Sequence, residues 1–191
     1  MNQSLAQDLP RCTWPGHEEL YIRYHDTEWG VPVTGDNAMF ERISLEGFQA
    51  GLSWITILKR RDAFREAFHG FDIEKVAAIG NYEVEELVQN AGIIRHRAKI
   101  LSTIRNANIC LDLPQGISDL VWSFAPPTDQ RTPLAAEAAT KTQSVESDAL
   151  SKELKRLGFG FVGSTTMFAL IQATGMLNDH APDCFRRAEL T

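Results

Sequence analysis

Cysteine is scarce in this 191-residue sequence, in which only Cys12, Cys110 and Cys184 are present. Three cysteines are too few for a disulfide framework, and their odd number leaves at least one thiol unpaired. No stretch approaches the ~20 consecutive apolar residues that span a bilayer. Residues 1–10 also lack the basic start and apolar run of a signal peptide. We therefore expect a cytoplasmic protein with no membrane partner.

A strong positive charge is also missing, since the formal net charge is −6 at pH 7. Net charge governs solubility and non-specific attraction, whereas binding depends on where the positive charge lies. Basic residues cluster locally, within residues 59–65, 95–99 and 152–156. Because such clusters are most often solvated helix faces, composition neither supports nor excludes a DNA partner.

Alternating strand patterns, heptads and internal repeats are likewise absent from the sequence. Apolar residues instead recur at helical spacing. The pattern predicts helices over residues 37–50, 54–64, 73–79, 84–91, 95–110, 149–157 and 165–174, with a surface loop over 128–147. Caps are predicted at Ser53, Asp72 and the pair Ser147 and Asp148. The predicted fold is all-α, with one domain of two packed helical lobes over residues 11–184. Residues 1–10 and 185–191 are predicted to be terminal tails.

Two pairs of potential metal ligands lie near opposite ends of the chain. Cys12 and His25 form the first pair, and His180 and Cys184 form the second. Positions four apart share a helix face or a tight turn, and two thiolates with two imidazoles make a closed tetrahedral zinc set. The spacing alone is weak evidence, because two cysteines and two histidines occur easily by chance, as two buried thiols and two surface histidines. Other side chains of suitable chemistry compete as ligands: His17, Cys110, Asp179 and Asp183.

A second constellation combines aromatic side chains with one carboxylate. The aromatic members are Trp14, Tyr21, Tyr24, Trp29 and Trp54. Such clusters usually pack in a core, but they also form slots in which a flat ligand stacks. Glu46 falls on the same helical arc as Phe40 and Ile43, so it is expected to point inward. An inward carboxylate is costly unless it is paired or functional. Glu46 would either be satisfied by a tyrosine hydroxyl or backbone N–H, or bind a flat, positively charged ring.

Several segments carry a more specific pattern, and they occur in order from Arg11 to Cys184. They are residues 11–14, 21–32 (YIRYHDTEWGVP), 45–56 (LEGFQAGLSWIT), 90–100 (NAGIIRHRAKI), 121–124, 147–152, 161–165 and 178–180. Together they closely resemble the bacterial 3-methyladenine DNA glycosylase I family. The resemblance implies a helix-hairpin-helix glycosylase fold whose partner is double-stranded alkylated DNA. It also implies that this chain is a monomer and an enzyme.

The resemblance assigns roles to the two constellations. It implies a structural zinc ion that joins the terminal segments through Cys12, His25, His180 and Cys184. It implies a base pocket formed by Glu46, Tyr24 and Trp54, which Trp14, Tyr21 and Trp29 line or flank. The reaction expected is hydrolysis of the glycosidic bond of 3-methyladenine, which leaves an abasic site. The pocket motifs contain no lysine, so a Schiff-base intermediate is not expected.

DNA contacts are expected from two turns. The glycine-rich turn over residues 157–165 would grip the backbone through N–H groups and a helix N-terminus. Its residues in that role are Gly158, Gly160, Gly163, Ser164 and Thr165. The turn at Gly51 and Leu52 would fill the gap left by an extruded base. Gly160 departs from the family pattern, in which a basic residue is expected, so one phosphate contact is predicted to be missing.

The main alternative function is a non-catalytic, zinc-dependent DNA-binding module, and a second is a hydrolase of free nucleosides.

Overall fold

The computed structural model describes residues 9–132 and 141–190. These residues contain eleven α-helices, two 3₁₀ helices and no strand, which confirms the predicted all-α class. The α-helices, numbered in chain order, are α1 Glu19–Thr27, α2 Asp36–Gln49, α3 Trp54–Leu58, α4 Arg61–Ala67, α5 Ile73–Ala77, α6 Asn81–Gln89, α7 Arg97–Leu111, α8 Gly116–Trp122, α9 Val145–Arg156, α10 Ser164–Ala173 and α11 Phe185–Glu189. The 3₁₀ helices are His69–Phe71 and Thr128–Gln130. None of the described helices is long and apolar enough to cross a membrane.

Several helix boundaries differ from the predicted ones. The sequence pattern misses α1 and α8, and the predicted helix over residues 54–64 is divided into α3 and α4. The division falls at Arg60, whose guanidinium donates to the carbonyl oxygens of Ala91 and Gly92 at 2.7 and 3.1 Å. Helix α9 begins about one turn earlier than the sequence pattern indicates, because Ser144 and Ser147 cap each other's backbone N–H groups. Part of the predicted loop, residues 133–140, lies outside the described residues.

Helix α2 runs through the middle of the molecule and packs against α3, α5, α7, α8 and α10. Residues on nearly every side of it are therefore buried, including Phe40, Ile43 and Phe48. Phe48 packs against Phe64 and Phe68 with ring centroids 4.6 and 5.8 Å apart. Beyond its exposed first turn, a side chain on the inner face of this helix can reach solvent only where the surrounding helices leave a cavity.

The two ends of the described chain lie together. The backbone N–H of Phe185 donates to the carbonyl of Pro10 at 2.9 Å, and residues 185–189, which the sequence pattern assigns to a tail, form α11. A close backbone approach secures the same region. A Cβ atom at Gly175, whose φ is +76°, would lie 2.6 Å from the N atom of Pro32. Both terminal segments are thus placed beside α1.

Helices α9 and α10 form a packed pair joined by residues 157–163. Gly158 ends α9 with a φ of +98°, in the left-handed region that glycine adopts without strain. The hydroxyl of Ser151 donates to the carbonyl of Val162 at 2.7 Å and holds the turn against α9. The Cβ atom of Phe161, in the same turn, lies 3.3 Å from the position that a Cβ at Gly47 would occupy. Gly47 therefore lets this turn approach α2 closely.

Candidate active site and metal centre

A cavity of about 480 Å³ opens beside α2, between α1, α3, α10 and the two terminal segments. All six residues that the sequence analysis assigns to a base pocket line it. They are Trp14, Tyr21, Tyr24, Trp29, Glu46 and Trp54. The fold thus brings together side chains from the segment before α1, from α1 itself, and from α2 and α3.

The aromatic side chains form a connected wall. Trp14 makes edge contacts with Tyr21 and Trp29, at centroid distances of 4.8 and 5.2 Å. Tyr24 packs against Trp54 with centroids 5.5 Å apart. Trp14 is 37% exposed whereas Tyr24 is 3% exposed, so the wall extends from the surface to the interior. Edge-to-face packing of this kind fixes each ring without blocking the cavity faces of the others.

Glu46 is the one buried carboxylate of the wall, at 4% exposure. It makes no hydrogen bond with the described residues, so neither a tyrosine hydroxyl nor a backbone N–H satisfies it. Burial raises the pKa of Glu46 to about 8, while the positive charge of Arg42, one helical turn earlier, opposes the rise. An unpaired buried acid of this kind is costly unless a ligand completes it.

The guanidinium of Arg42 is itself held in a buried ion-pair network. Its Nη2 atom lies 3.1 Å from Oε2 of Glu28, and the same carboxylate accepts two hydrogen bonds from Arg61 at 2.6 and 2.8 Å. Burial acts to raise the pKa of Glu28, but the hydrogen bonds and positive charges of Arg61 and Arg42 together outweigh it and leave the pKa below its ordinary value. Glu28 is therefore ionised and fixes two arginines beside the α2 helix.

Five polar residues of the cavity wall escape the sequence-based prediction of the pocket. They are Thr13, Gln49, Lys141, Gln172 and Asp179. Gln49 follows Glu46 by three positions, so its helical spacing was an available signal. Gln172 donates to Asp179 at 2.6 Å, and these two meet only because α10 packs beside the C-terminal segment. No local pattern marks Lys141 as a cavity residue.

A second cluster is fully buried next to the cavity. Cys12, His25, His180 and Cys184 place their ligand atoms within 4.8 Å of one another. The sulfur–nitrogen distances are 3.7, 3.4 and 3.5 Å for the pairs Cys12–His180, Cys184–His25 and Cys184–His180. Zinc bound tetrahedrally at ordinary Zn–S and Zn–N bond lengths would separate such atoms by about 3.6 Å. The residues fit a metal ion of that kind.

The surroundings of this cluster also suit a metal. Nδ1 of His25 lies 2.8 Å from Asp26, and Nε2 of His180 lies 3.2 Å from the carbonyl of Trp29. These contacts orient the opposite ring nitrogens toward the cluster. Burial lowers the pKa of His180 to about 4, which keeps it neutral, and raises the pKa of Cys12 to about 12. A bound cation is what would favour the thiolate form.

The competing ligands lie elsewhere. Cys110 is buried in the hydrophobic core on α7, and His17 and Asp183 are not part of the cluster. Asp179 lines the cavity instead. Because Cys12, Ala181 and Pro182 also line the cavity, the cluster and the cavity share one wall.

The predicted DNA-contact residues lie on two turns. Leu52 is 40% exposed and follows Gly51, whose φ is +84°. Gly158, Gly160 and Gly163 belong to the turn between α9 and α10, and Ser164 and Thr165 begin α10. The hydroxyl of Ser164 donates to the carboxylate of Asp148 in a short contact.

Two of the basic clusters are partly structural. Lys99 is 7% exposed, and its Nζ atom donates to the carbonyls of Phe48 and Ala50 at 2.8 and 2.7 Å. Arg61 is committed to Glu28. Both side chains are therefore engaged within the protein, so fewer of the clustered cations can bind an anion at the surface.

An enclosed cavity with aromatic walls and one unpartnered carboxylate is the kind of site that enzymes acting on extruded nucleobases use. The sequence profile of the methyladenine glycosylase family matches residues 14–187. The chain belongs to that family. It is 50% identical over 179 residues to DNA-3-methyladenine glycosylase 1 of Escherichia coli K12, covering 92% of this chain and 96% of the relative.

Solved structures agree with this assignment. A crystal structure of 3-methyladenine DNA glycosylase I superimposes with a TM-score of 0.87 at 48% identity, covering 92% of this chain and 98% of that one. A structure of 3-methyladenine DNA glycosylase I from Staphylococcus aureus, which concerns recognition of 3-methyladenine, superimposes with a TM-score of 0.85 at 33% identity. It covers 93% of this chain and 96% of that one. The family predicted from the sequence is thus confirmed.

Proposed function

We propose that this 3-methyladenine DNA repair glycosylase receives the extruded base in the cavity beside α2, with Glu46 as its central recognition residue. The observation that carries this proposal is the buried carboxylate of Glu46, which has no hydrogen-bond partner among the described residues and faces an aromatic wall. Extrusion costs a few kcal/mol and costs least for a damaged base, so the bound base must regain that energy in the cavity.

Methylation at N3 gives adenine in DNA a delocalised positive charge. The faces of Tyr24, Trp54 and Trp14 would attract that cation by ~0.5–2 kcal/mol per contact. Ionised Glu46 would accept a hydrogen bond from the 6-amino group, and the charge pairing would favour the ionised form despite its burial. Neutral adenine lacks the charge. A 7-methylguanine presents a carbonyl oxygen at position 6, which a carboxylate repels.

The chemical step is hydrolysis at the sugar. Water attacks C1′ as the bond to N9 breaks, and the electron pair of that bond neutralises the charged ring. The base therefore leaves as neutral 3-methyladenine without needing a proton from the protein, and the attacking water loses one. Glu46 contributes by stabilising the extruded cationic base in the cavity before the bond breaks, which is an electrostatic role in binding. An abasic site remains.

The cluster of Cys12, His25, His180 and Cys184 would hold zinc. Four ligands leave no open position for water, so a bound ion would supply structural stability rather than chemistry. The ligands come from the segment before α1, from α1 and from the segment before α11. By tying these segments together, the ion would hold the cavity wall that the cluster shares with Trp14.

DNA would be held by the α9–α10 pair in the manner of a helix-hairpin-helix. The N–H groups of residues 164–166 make no backbone hydrogen bonds, as is usual for the first turn of a helix. Leu52, exposed beside the C-terminal end of α2, would occupy the space left by the extruded base. The protein is expected to act as a monomer.

The test is chromatographic analysis of the bases that the purified protein releases from methylated duplex DNA. We expect free 3-methyladenine, with 7-methylguanine retained. Trp54→Ala should lose most release, whereas Trp122→Phe, which changes a tryptophan whose indole N–H donates to Val33 outside the cavity, should keep it. A folded protein that binds duplex DNA but releases no base would instead be a DNA-binding module. Activity on free nucleosides without DNA would indicate the nucleoside hydrolase.

A further inference from the structure

The turn between α9 and α10 lacks a cation of its own. Residues 157–163 contain no lysine or arginine, and Gly160 stands where the family resemblance leads us to expect a basic residue. The next helix does not compensate, because Ser164 at its start is bonded to the carboxylate of Asp148. A phosphate group approaching this turn would meet backbone N–H groups together with one negative charge.

A cation from another helix occupies the space that Gly160 leaves. A Cβ atom built on Gly160 would collide with Nη2 of Arg105 and with the hydroxyl of Ser102, both of which belong to α7. The guanidinium of Arg105 therefore lies directly over the turn, where a side chain at position 160 would start. The φ of Gly160 is outside the left-handed region, so the backbone itself does not require glycine here. What the glycine provides is room.

The contact between α7 and the turn is also firmly built. The side chain of Asn106 accepts from the backbone N–H of Gly160 at 2.9 Å and donates to its carbonyl at 3.2 Å. Asn106 is buried, at 4% exposure. This two-way hydrogen bond fixes the turn against α7 next to Arg105, so the position of the guanidinium relative to the turn is not left to a flexible loop.

The Arg105 side chain is not engaged by any other group in the described structure. Its side chain is exposed and makes no hydrogen bond or ion pair with the described residues. Several other arginines are committed to carboxylates, as Arg97 is to Glu85 at 2.7 Å. An exposed guanidinium without a partner among the described residues has the chemistry of a phosphate contact. The adjacent N–H groups of residues 161–163 make no hydrogen bond within the described structure.

We propose that Arg105 binds a DNA backbone phosphate at the α9–α10 turn, in place of a side chain from position 160. This inference rests on the proposed function, and under it the charge that Gly160 does not carry is supplied from α7 instead. Arg105 fixes the register of the duplex on the protein and takes no part in the chemical step.

The test measures binding to a duplex that contains a tetrahydrofuran abasic-site analogue, which is not cleaved, over a range of salt concentrations. One lost phosphate contact lowers the slope of log affinity against log salt by about 0.9. Arg105→Ala should therefore bind more weakly than wild type, and the ratio of the two affinities should shrink about 3.5-fold between 50 and 200 mM salt. Arg105→Lys should keep most of the slope.

Two controls sharpen the result. Lys75→Ala removes one exposed positive charge from α5, where Lys75 pairs with Asp72 at the N-cap of the same helix. This variant should keep the wild-type slope. The triple variant Ser102→Ala, Arg105→Ala, Gly160→Lys clears the space above the turn and moves the charge onto it, which should restore the slope. A wild-type slope in Arg105→Ala, or a loss as large in Lys75→Ala, would overturn the proposal.

The outcome can be separated from that of the proposed function. Arg105→Ala should keep wild-type binding of free 3-methyladenine, followed by tryptophan fluorescence, because the residue lies outside the cavity wall. If wild type fails to release 3-methyladenine, yet the salt slopes differ as expected, the proposed function fails and the phosphate contact stands.

Discussion

Replacing Glu46 by glutamine should stabilise the folded, ligand-free protein at neutral pH. Burial raises the pKa of Glu46 to about 8 in the folded state, whereas an exposed glutamate has an ordinary value of 4.5. The folded state therefore keeps a proton that the unfolded state has lost. By linkage, this group lowers stability progressively as the pH rises from about 4.5 towards 8. Glutamine cannot ionise, so its advantage over glutamate must grow across that window.

The size of the effect follows from these two pKa values. With an unfolded pKa of 4.5 and a folded pKa of about 8, the linkage disfavours folding by ~1 kcal/mol at pH 5 and by ~3 kcal/mol at pH 7. The stability difference between the variant and wild type should thus increase by ~2–3 kcal/mol between these pH values. That is a large part of the total stability of an ordinary domain.

Urea unfolding of both proteins at pH 5, 6 and 7 measures this difference, and comparing the two at each pH cancels the titration of the cysteine and histidine cluster. Glu28→Gln is the matched control. Burial opposes ionisation of Glu28, but the hydrogen bonds and charges of Arg61 and Arg42 together hold its pKa below the ordinary value. That control should therefore lose stability at neutral pH. A Glu46→Gln advantage that is equal at pH 5 and pH 7 would refute the assignment of Glu46 as an unpaired buried acid.

Three further outcomes are expected. Cys184→Ser should lose bound zinc and several kcal/mol of stability, as measured by metal analysis and thermal unfolding. The control variant Cys110→Ser should keep its metal. Equal metal content in the two variants would contradict the zinc site. Leu52→Ala should slow excision from duplex DNA about tenfold, which corresponds to the loss of about one apolar contact. Excision from single-stranded DNA should change little. The control is Leu111→Ala, which truncates a leucine that is 52% exposed on α7. Borohydride should trap no covalent DNA adduct despite the lysine at position 141 in the cavity wall, and an adduct lost in Lys141→Ala would show that a Schiff base forms after all.

The sequence pattern predicts the fold class and the inward direction of Glu46, because both follow from helical periodicity alone. Glu46 shares an arc with apolar residues, and the folded protein buries it. The six pocket residues are brought together as expected, although their roles in binding remain predictions. Helix α1 was missed because no side-chain cap marks its start.

What the sequence pattern could not predict depends on tertiary contacts. Lys99 belongs to one of the local charge clusters, but only the folded structure shows that its ammonium donates hydrogen bonds to two carbonyl groups at the end of α2. From its neighbours in the chain alone, Gly160 is predicted to leave the turn without a positively charged side chain. Arg105, from a separate helix, fills the space above it. Pairings of this kind are set by how helices pack, and no spacing along the chain records them.

The most direct test of the central claim is the single-turnover rate of 3-methyladenine excision from duplex DNA by wild type and Glu46→Gln. Both rates should be measured beside the affinity of each protein for the uncleaved abasic-site duplex. We predict a loss of about 10- to 100-fold in rate, as for removal of one charged hydrogen-bond partner of the extruded base, with unchanged affinity for the abasic duplex. An unaltered rate in the folded variant would contradict the claim that Glu46 recognises the cationic base.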